Sequence, residues 1–351
     1  MNVMRWENLS APPDEGHPDG SAPATPPLPL ALPGAIARTF DTPGFAGMTF
    51  YEVQAKSIIN KVPGASRVPF EWTINPYRGC SHACKYCYAR NTHTYLDLDA
   101  GADFDRKVIV KVNAGELVRR ELAAPRWRGA HIAMGTNVDC YQRAEGRYRL
   151  MPPIIEALRD FANPFSILTK GTLILRDLPL LRQAAEVTRV GVSYSVGFVD
   201  EALWRAVEPG TPSPRRRLDA VRALTDAGFE VGVLMAPILP GLSDSDESIE
   251  ATVAAVAAAG AGSVTPMALH LRPGAREWYA HWLAREFPHL VPRYRELYRA
   301  GAYAPQAYQR ELTARVRIAA RRHGLHRGER GDNRRLPTPE APPAAEQLSL
   351  L

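Results

Sequence analysis

Short apolar runs alternate with helical stretches along the middle of this chain, and that alternation constrains its fold more than any other feature. FEWTIN (70–75), AHIAMGT (130–136), FSILT (165–169), RVGVSYSV (189–196), FEVGVLMAP (229–237) and GSVTPMALHL (262–271) read as strands. Between them GELVRRELA (115–123), PPIIEALRDFA (152–162), RDLPLLRQAAE (176–186), SPRRRLDAVRALTDAG (213–228) and DSDESIEATVAAVAAAG (244–260) carry helical spacing. Proline opens the second of these helices, and Ser213 and Gly228 bracket the fourth. Acids fill the first turn of the fifth. Helical segments rich in Trp, Tyr and Arg follow to about residue 326. Six β/α units with right-handed parallel crossovers predict an α/β protein. Its sheet is either open and doubly wound or a partial TIM-type barrel, and both place ligands at the C-terminal ends of the strands. Polar segments collect at those ends: the cysteine loop after the first strand, then TNVD (136–139), KGT (170–172), PILPG (237–241) and HLRPG (270–274).

The flanks read differently. Residues 11–34 are dense in Pro, Ala and Gly and cannot bury a core, so 1–37 is expected to be a disordered tail. Residues 38–74 form an N-terminal extension and the first strand, 75–285 the barrel, and 286–328 a C-terminal helical region. Residues 329–351 form a second disordered tail ending in QLSLL. The sequence shows no cationic stretch followed by an apolar run and no long apolar segment. The expectation is a cytoplasmic protein without a membrane span, whose thiols stay reduced. The formal net charge is +6, and between Arg310 and Arg335 nine arginines and two histidines face three acids. Such a region suits a polyanion such as nucleic acid, though a solvated helix face has the same composition.

NPYRGCSHACKYCYAR (75–90) holds three of the four cysteines, Cys80, Cys84 and Cys87, as C-x3-C-x2-C. Three thiolates hold three corners of a four-iron cluster and leave one iron open to an exogenous ligand. A structural zinc site completed by His82 or His93 is the alternative, but structural zinc usually takes two separated ligand pairs, and the sequence has no second pair. Three unligated buried thiols fit poorly among the neighbouring Asn, Arg, His and Lys.

On these residues the chain resembles the radical S-adenosylmethionine (SAM) superfamily. Together with TNVDCYQRAEGRY (136–148), LTKGTLILRDLPLL (168–181) and EPGTPSPRRRL (208–218), the loop is similar to the branch of spore photoproduct lyase and DNA repair photolyase-like proteins. Within that branch it resembles an actinobacterial subgroup of uncharacterised function, from about Arg38 to about Leu325. The resemblance implies a partial (β/α)6 barrel with a [4Fe–4S] cluster on Cys80, Cys84 and Cys87. It also implies SAM on the open iron, reductive cleavage to a 5′-deoxyadenosyl radical, and an electron donor such as flavodoxin or ferredoxin. Tyr86 is then expected against SAM or the cluster, Asp139 at the SAM ammonium and Lys170 at its carboxylate. Ser195 and, second, Ser193 are the expected SAM-contacting serines, sharing one strand face by alternation with Val192, Tyr194 and Val196. Gln142 and Glu145 match a YQ-x-x-E pattern of the branch, and Glu208 and Arg272 sit on mouth-side loops. Each of these residues also has a plain structural reading as a strand end, a turn or a packed lumen residue.

The lyase of this branch uses an extra cysteine as hydrogen donor. Matched on Asp139, that position falls at Thr136, so Cys140 reads as a small residue at a turn. One remaining thiol cannot build a second cluster. QLSLL (347–351) resembles the motif by which bacterial DNA polymerases and repair proteins dock on the sliding clamp, with Gln347, Leu348, Leu350 and Leu351 filling the pocket and Leu in place of Phe. Three readings follow. The first is a radical SAM enzyme repairing or modifying nucleic acid. The second is a radical SAM enzyme on a small molecule or protein. The third is a non-catalytic, metal-stabilised DNA-associated protein.

Overall fold

The computed structural model describes residues 32, 34–64 and 68–325. Most of the expected N-terminal tail, and all of the C-terminal tail with QLSLL, lie outside the described residues. The strands are β1 (Ile36–Arg38), β2 (Thr49–Val53), β3 (Ile59–Lys61), β4 (Trp72–Ile74), β5 (Tyr77–Arg78), β6 (Lys107–Lys111), β7 (Ile132–Met134), β8 (Phe165–Thr169), β9 (Val190–Ser195), β10 (Val231–Ile238) and β11 (Ser263–Ala268). The helices are α1 (Ala102–Arg106), α2 (Ala114–Leu122), α3 (Arg143–Tyr148), α4 (Met151–Asp160), α5 (Leu178–Val187), α6 (Glu201–Val207), α7 (Pro214–Asp226), α8 (Asp246–Ala258), α9 (Ala275–Glu286), α10 (Val291–Leu297) and α11 (Gln306–Arg322).

The larger sheet runs β11-β10-β9-β8-β7-β4-β3. Six of its strands are parallel and follow chain order, and β3 is added antiparallel on β4. A doubly wound sheet needs a reversal of strand order, and none occurs among these strands. The sheet therefore follows the partial-barrel pattern of the radical SAM type. Alternation sorts the side chains. Ile132, Met134, Phe165, Ile167, Val192, Tyr194, Val231, Val233 and Met235 join one apolar cluster with residues of the surrounding helices. The opposite face carries smaller or polar residues, with Ser193 in register between Leu168 and Gly232, and Ser195 beside Leu234. Gly135 lets the turn after β7 close on β8: its φ is +76°, and a Cβ there would lie 1.8 Å from the Leu168 carbonyl oxygen.

A second sheet, β1-β2-β6-β5, forms from segments in which the β/α pattern shows no strand. Its β5 leads into the cysteine loop and its β6 leaves the segment that follows, so the loop is anchored at both ends in one small sheet. At the far end α11 packs Leu312, Val316, Ala319 and Ala320 into the core. Arg315 pairs with Asp246 at 2.7 Å, and Arg322 and His323 pair with Glu250 at 3.3 and 2.8 Å.

His131, just before β7, is buried with Nε2 2.9 Å from Ser166 Oγ, and burial lowers its pKa to about 4. An unfolded histidine titrates near 6.5. The folded state thus favours the neutral ring, so this stability is whole above pH ~6.5 and is lost as pH falls toward 4. The loss amounts to roughly 3 kcal/mol. Urea midpoints measured at pH 7 and pH 4.5 should differ less in His131→Gln than in the parent chain.

Candidate active site

Three segments hold the cysteine loop from outside, through Gln142, through Val207 and Gly210, and through Asp105. Gln142 donates to the Gly79 carbonyl at 2.9 Å and accepts from the Ser81 amide at 2.9 Å. The Lys85 amide donates to the Val207 carbonyl, and the Gly210 amide to the His82 carbonyl, at 2.9 and 3.0 Å. Buried Arg90 reaches the Cys84 carbonyl at 3.0 Å and holds Asp105 by both carboxylate oxygens at 2.8 and 3.0 Å. Gly79 turns the chain into the loop at φ +83°, where a Cβ would lie 2.8 Å from the Lys107 carbonyl oxygen.

All three loop cysteines are free thiols, Cys80 and Cys84 buried and Cys87 half-buried. Burial pushes the Cys80 thiol well up, and Asp139 and the two neighbouring thiols add to this. The His82 backbone N–H bonded to Cys80 and the Ala89 N–H bonded to Cys87 pull the other way, toward thiolate. A cation placed among the sulfurs inverts the balance. Among the described residues no three His, Cys, Asp or Glu side chains close on a single ion. Three free thiols on one loop are the donor chemistry that an iron–sulfur cluster takes.

Beside the loop, Tyr86, Lys170, Ser195 and Glu208 come together. The Tyr86 hydroxyl donates to one Glu208 oxygen and Arg217 Nη2 to the other. Lys170 Nζ donates to Ser195 Oγ at 2.5 Å, stands 3.9 Å from Glu208 Oε1, and lies 5.7 Å from the Tyr86 ring centroid. Ser195 Oγ donates to the Ala236 carbonyl at 2.9 Å, and Arg217 Nη1 to the Ser195 carbonyl at 2.9 Å. Burial works to raise the Glu208 carboxyl, but the Arg217 and Lys170 charges and two hydrogen bonds outweigh it and hold it below the usual carboxylate range. Sequence reasoning missed Arg217, although a signal was present. It stands at i, i+3, i+4 and i+7 spacing with Ala220, Val221 and Leu224, on the buried face of α7.

Asp139 is an anchor. Its Oδ1 accepts from the Tyr141 amide and Thr169 Oγ1 at 2.9 and 2.6 Å, its Oδ2 accepts from the Lys170 amide at 2.6 Å, and His82 Nδ1 lies 3.4 Å from Oδ2. Ser193 is buried on the inner face. Glu145 is structural, accepting from Tyr77 OH, the Leu150 and Met151 amides and Arg176 at 2.5, 3.0, 3.1 and 2.8 Å. Cys140 is fully buried in the apolar core, its thiol pushed well up by burial. Arg272 is exposed, 5.4 Å over the Tyr88 ring. Tyr88, next to Cys87, lies 5.3 Å from His270, which stacks on Tyr303 at 5.6 Å and 22°. These rings bridge the cysteine loop to the end of β11.

The sequence profile of the Radical SAM superfamily matches residues 74–253. An uncharacterized protein of Mycobacterium tuberculosis is 50% identical over 320 residues, covering 90% of this chain and 92% of its own. One from Methanocaldococcus jannaschii is 30% identical over 203 residues, 57% of this chain and 72% of its own. Spore photoproduct lyase complexed with dinucleoside spore photoproduct superposes with TM-score 0.56 at 16% identity, covering 78% of this chain and 79% of that one. A variant of that lyase with bound AdoMet and dinucleoside spore photoproduct gives TM-score 0.58 at 16% identity, covering 78% of each chain. The likeness to the lyase is one of fold. With half of its length matched by the family profile, and the C-x3-C-x2-C loop set at the mouth of six parallel strands, this chain belongs to the radical SAM superfamily.

Proposed function

We propose that the chain binds a [4Fe–4S] cluster through Cys80, Cys84 and Cys87, binds SAM beside it, and acts on nucleic acid in repair or modification. The observation that carries the cofactor reading is the clamped loop of three free thiols, with Lys170 and Ser195 held beside it. When bound, the cluster supplies an electron, from a donor such as flavodoxin or ferredoxin, that cleaves SAM to methionine and a 5′-deoxyadenosyl radical able to take hydrogen from carbon. The chain's own part is positioning. Lys170 offers a point charge to the SAM carboxylate, and Ser195 and Ser193 offer hydroxyls on the inner face. Tyr86, braced by Glu208, presents its ring. Asp139, fixed by two amides and Thr169, offers a carboxylate to the SAM ammonium.

The nucleic-acid reading draws on the ring series at the rim, where Tyr303 is 43% exposed and Arg272 lies over the Tyr88 ring. Stacked rings next to an arginine take bases readily. The lyase of similar fold is the one solved with a dinucleoside photoproduct. Arg310, Arg317 and Arg321 add an exposed basic ridge on α11. Docking of Gln347–Leu351 on a DNA sliding clamp would bring the chain to its substrate. A small-molecule or protein substrate would use the same Lys170 and Ser195, and binding experiments separate the two. Among the described residues no helix is long and apolar enough to cross a membrane.

Anaerobic reconstitution should load about four irons per chain and release 5′-deoxyadenosine from SAM on reduction, while Cys80→Ala, Cys84→Ala and Cys87→Ala should release none. Equal release from those variants sinks the enzymatic reading. Lys170→Met should weaken SAM binding by about tenfold or more at unchanged iron content, read by calorimetry. Tyr303→Ala should weaken binding of a single-stranded oligonucleotide by about tenfold, read by fluorescence anisotropy at fixed salt. Unchanged anisotropy would remove the rim from the substrate path.

A further inference from the structure

Three buried side-chain polar atoms of residues 75–90 lack a hydrogen-bond partner among the described residues, Asn75 Oδ1, Arg90 Nε and the hydroxyl of Ser81, and of these only Ser81 lies between the cysteines. The residue is 5% exposed and cannot swing away. Its amide is held by Gln142 Oε1 at 2.9 Å. Its carbonyl oxygen abuts Gly210 so closely that a Cβ there would lie 2.1 Å from it. A hydroxyl taken from water without a partner is a cost that native structures seldom carry without a reason, and redox sites are among the places where they do. Ser81 sits directly after Cys80 and three residues before Cys84. A serine hydroxyl has one rotatable proton to give, and here the folded chain offers it no acceptor.

We propose that Ser81 donates its hydroxyl proton in a hydrogen bond to a sulfur of the cluster held by Cys80, Cys84 and Cys87, and thereby raises the cluster's reduction potential. This rests on the cluster reading given under Proposed function. The physical argument is one of charge. Reduction adds a negative charge to the cluster, and a hydrogen bond to a more negative acceptor is stronger. Hydrogen bonds to the sulfurs are among the terms that set such potentials. Ser81 carries a side-chain donor on the loop that can be deleted without changing a cysteine.

The test compares the parent chain with Ser81→Ala, which deletes only the hydroxyl. Both are reconstituted anaerobically, and iron content, midpoint potential by EPR-monitored titration and melting temperature of the metal-free protein are measured. The expected result is equal iron and a reduced fraction about tenfold lower in Ser81→Ala at a fixed solution potential, a midpoint shift of about 59 mV for one electron. The metal-free Ser81→Ala protein should melt no lower than the parent, because the hydroxyl it lacks had no partner to lose. An unchanged midpoint at equal iron overturns the proposal and leaves the cluster reading standing. A lower melting temperature without metal also overturns it, by showing that the hydroxyl is bonded within the protein. Failure of the parent chain to take up iron sinks the cluster reading itself, and this proposal with it.

Discussion

The mouth of the barrel depends on a fully buried carboxylate, Glu208. An ionised carboxylate in such a place is strongly disfavoured unless its charge is matched and its oxygens are bonded. Both conditions are met by side chains from distant segments: Arg217 from α7, Tyr86 from the cysteine loop and Lys170 from the end of β8. Glu208 itself caps the C-terminus of α6. Four pieces of chain therefore share one electrostatic node. Removing a partner leaves a buried charge uncompensated, which in such pairs costs about 3–5 kcal/mol. The node is a poor source of net stability and a good source of geometry. It permits one arrangement of Tyr86 and Lys170, and that arrangement places an ammonium and a ring together beside the thiols.

Asp139 does the same on the other side. Its carboxylate gathers the Tyr141 and Lys170 amides and the Thr169 hydroxyl, and it faces His82 of the loop. His82 in turn accepts from the Gly210 amide through its carbonyl, two residues from Glu208. The loop is thus suspended between two anchored carboxylates, with Gln142 fastening its N-terminal end. A loop that must present three sulfurs to a cofactor cannot rely on its own short backbone for rigidity, and here the rigidity is supplied by its surroundings.

The six-unit pattern was legible because each strand and helix carries its own local period, and a cap such as Ser213 marks a helix start. The small sheet was not legible. β6 pairs with β2, far away in sequence, and nothing local in KVIVK says which partner it takes. The fifth helix also begins later than its acids suggest. Asp244 is drawn off by the Gly241 amide, Arg293 and Tyr308, leaving Ser245 as the cap. At the site, the spacing of the cysteines and the positions of Lys170 and Ser195 could be read from motif and alternation. The donors to Asp139 could not, because two of the three are backbone amides whose direction is set by turn geometry.

Charge counting illustrates the same limit. The arginines near the C-terminus raise the net charge, yet on α11 Arg315 and Arg322 are engaged with acids of α8 and serve the packing of one helix on another. Arg310, Arg317 and Arg321 remain on the ridge opposite Leu312, Val316 and Ala319, at i, i+7 and i+11. A ridge of three cations gives weak, salt-sensitive attraction to a polyanion and no selectivity for bases. Selectivity needs groups at the mouth that distinguish a ring from a phosphate. The stacked His270 and Tyr303, joined to the cysteine loop through Tyr88, have that character and arginine 310, 317 or 321 does not. On the nucleic-acid reading proposed above, base selection falls to the rim rings, and the exposed arginines of α11 add affinity at most.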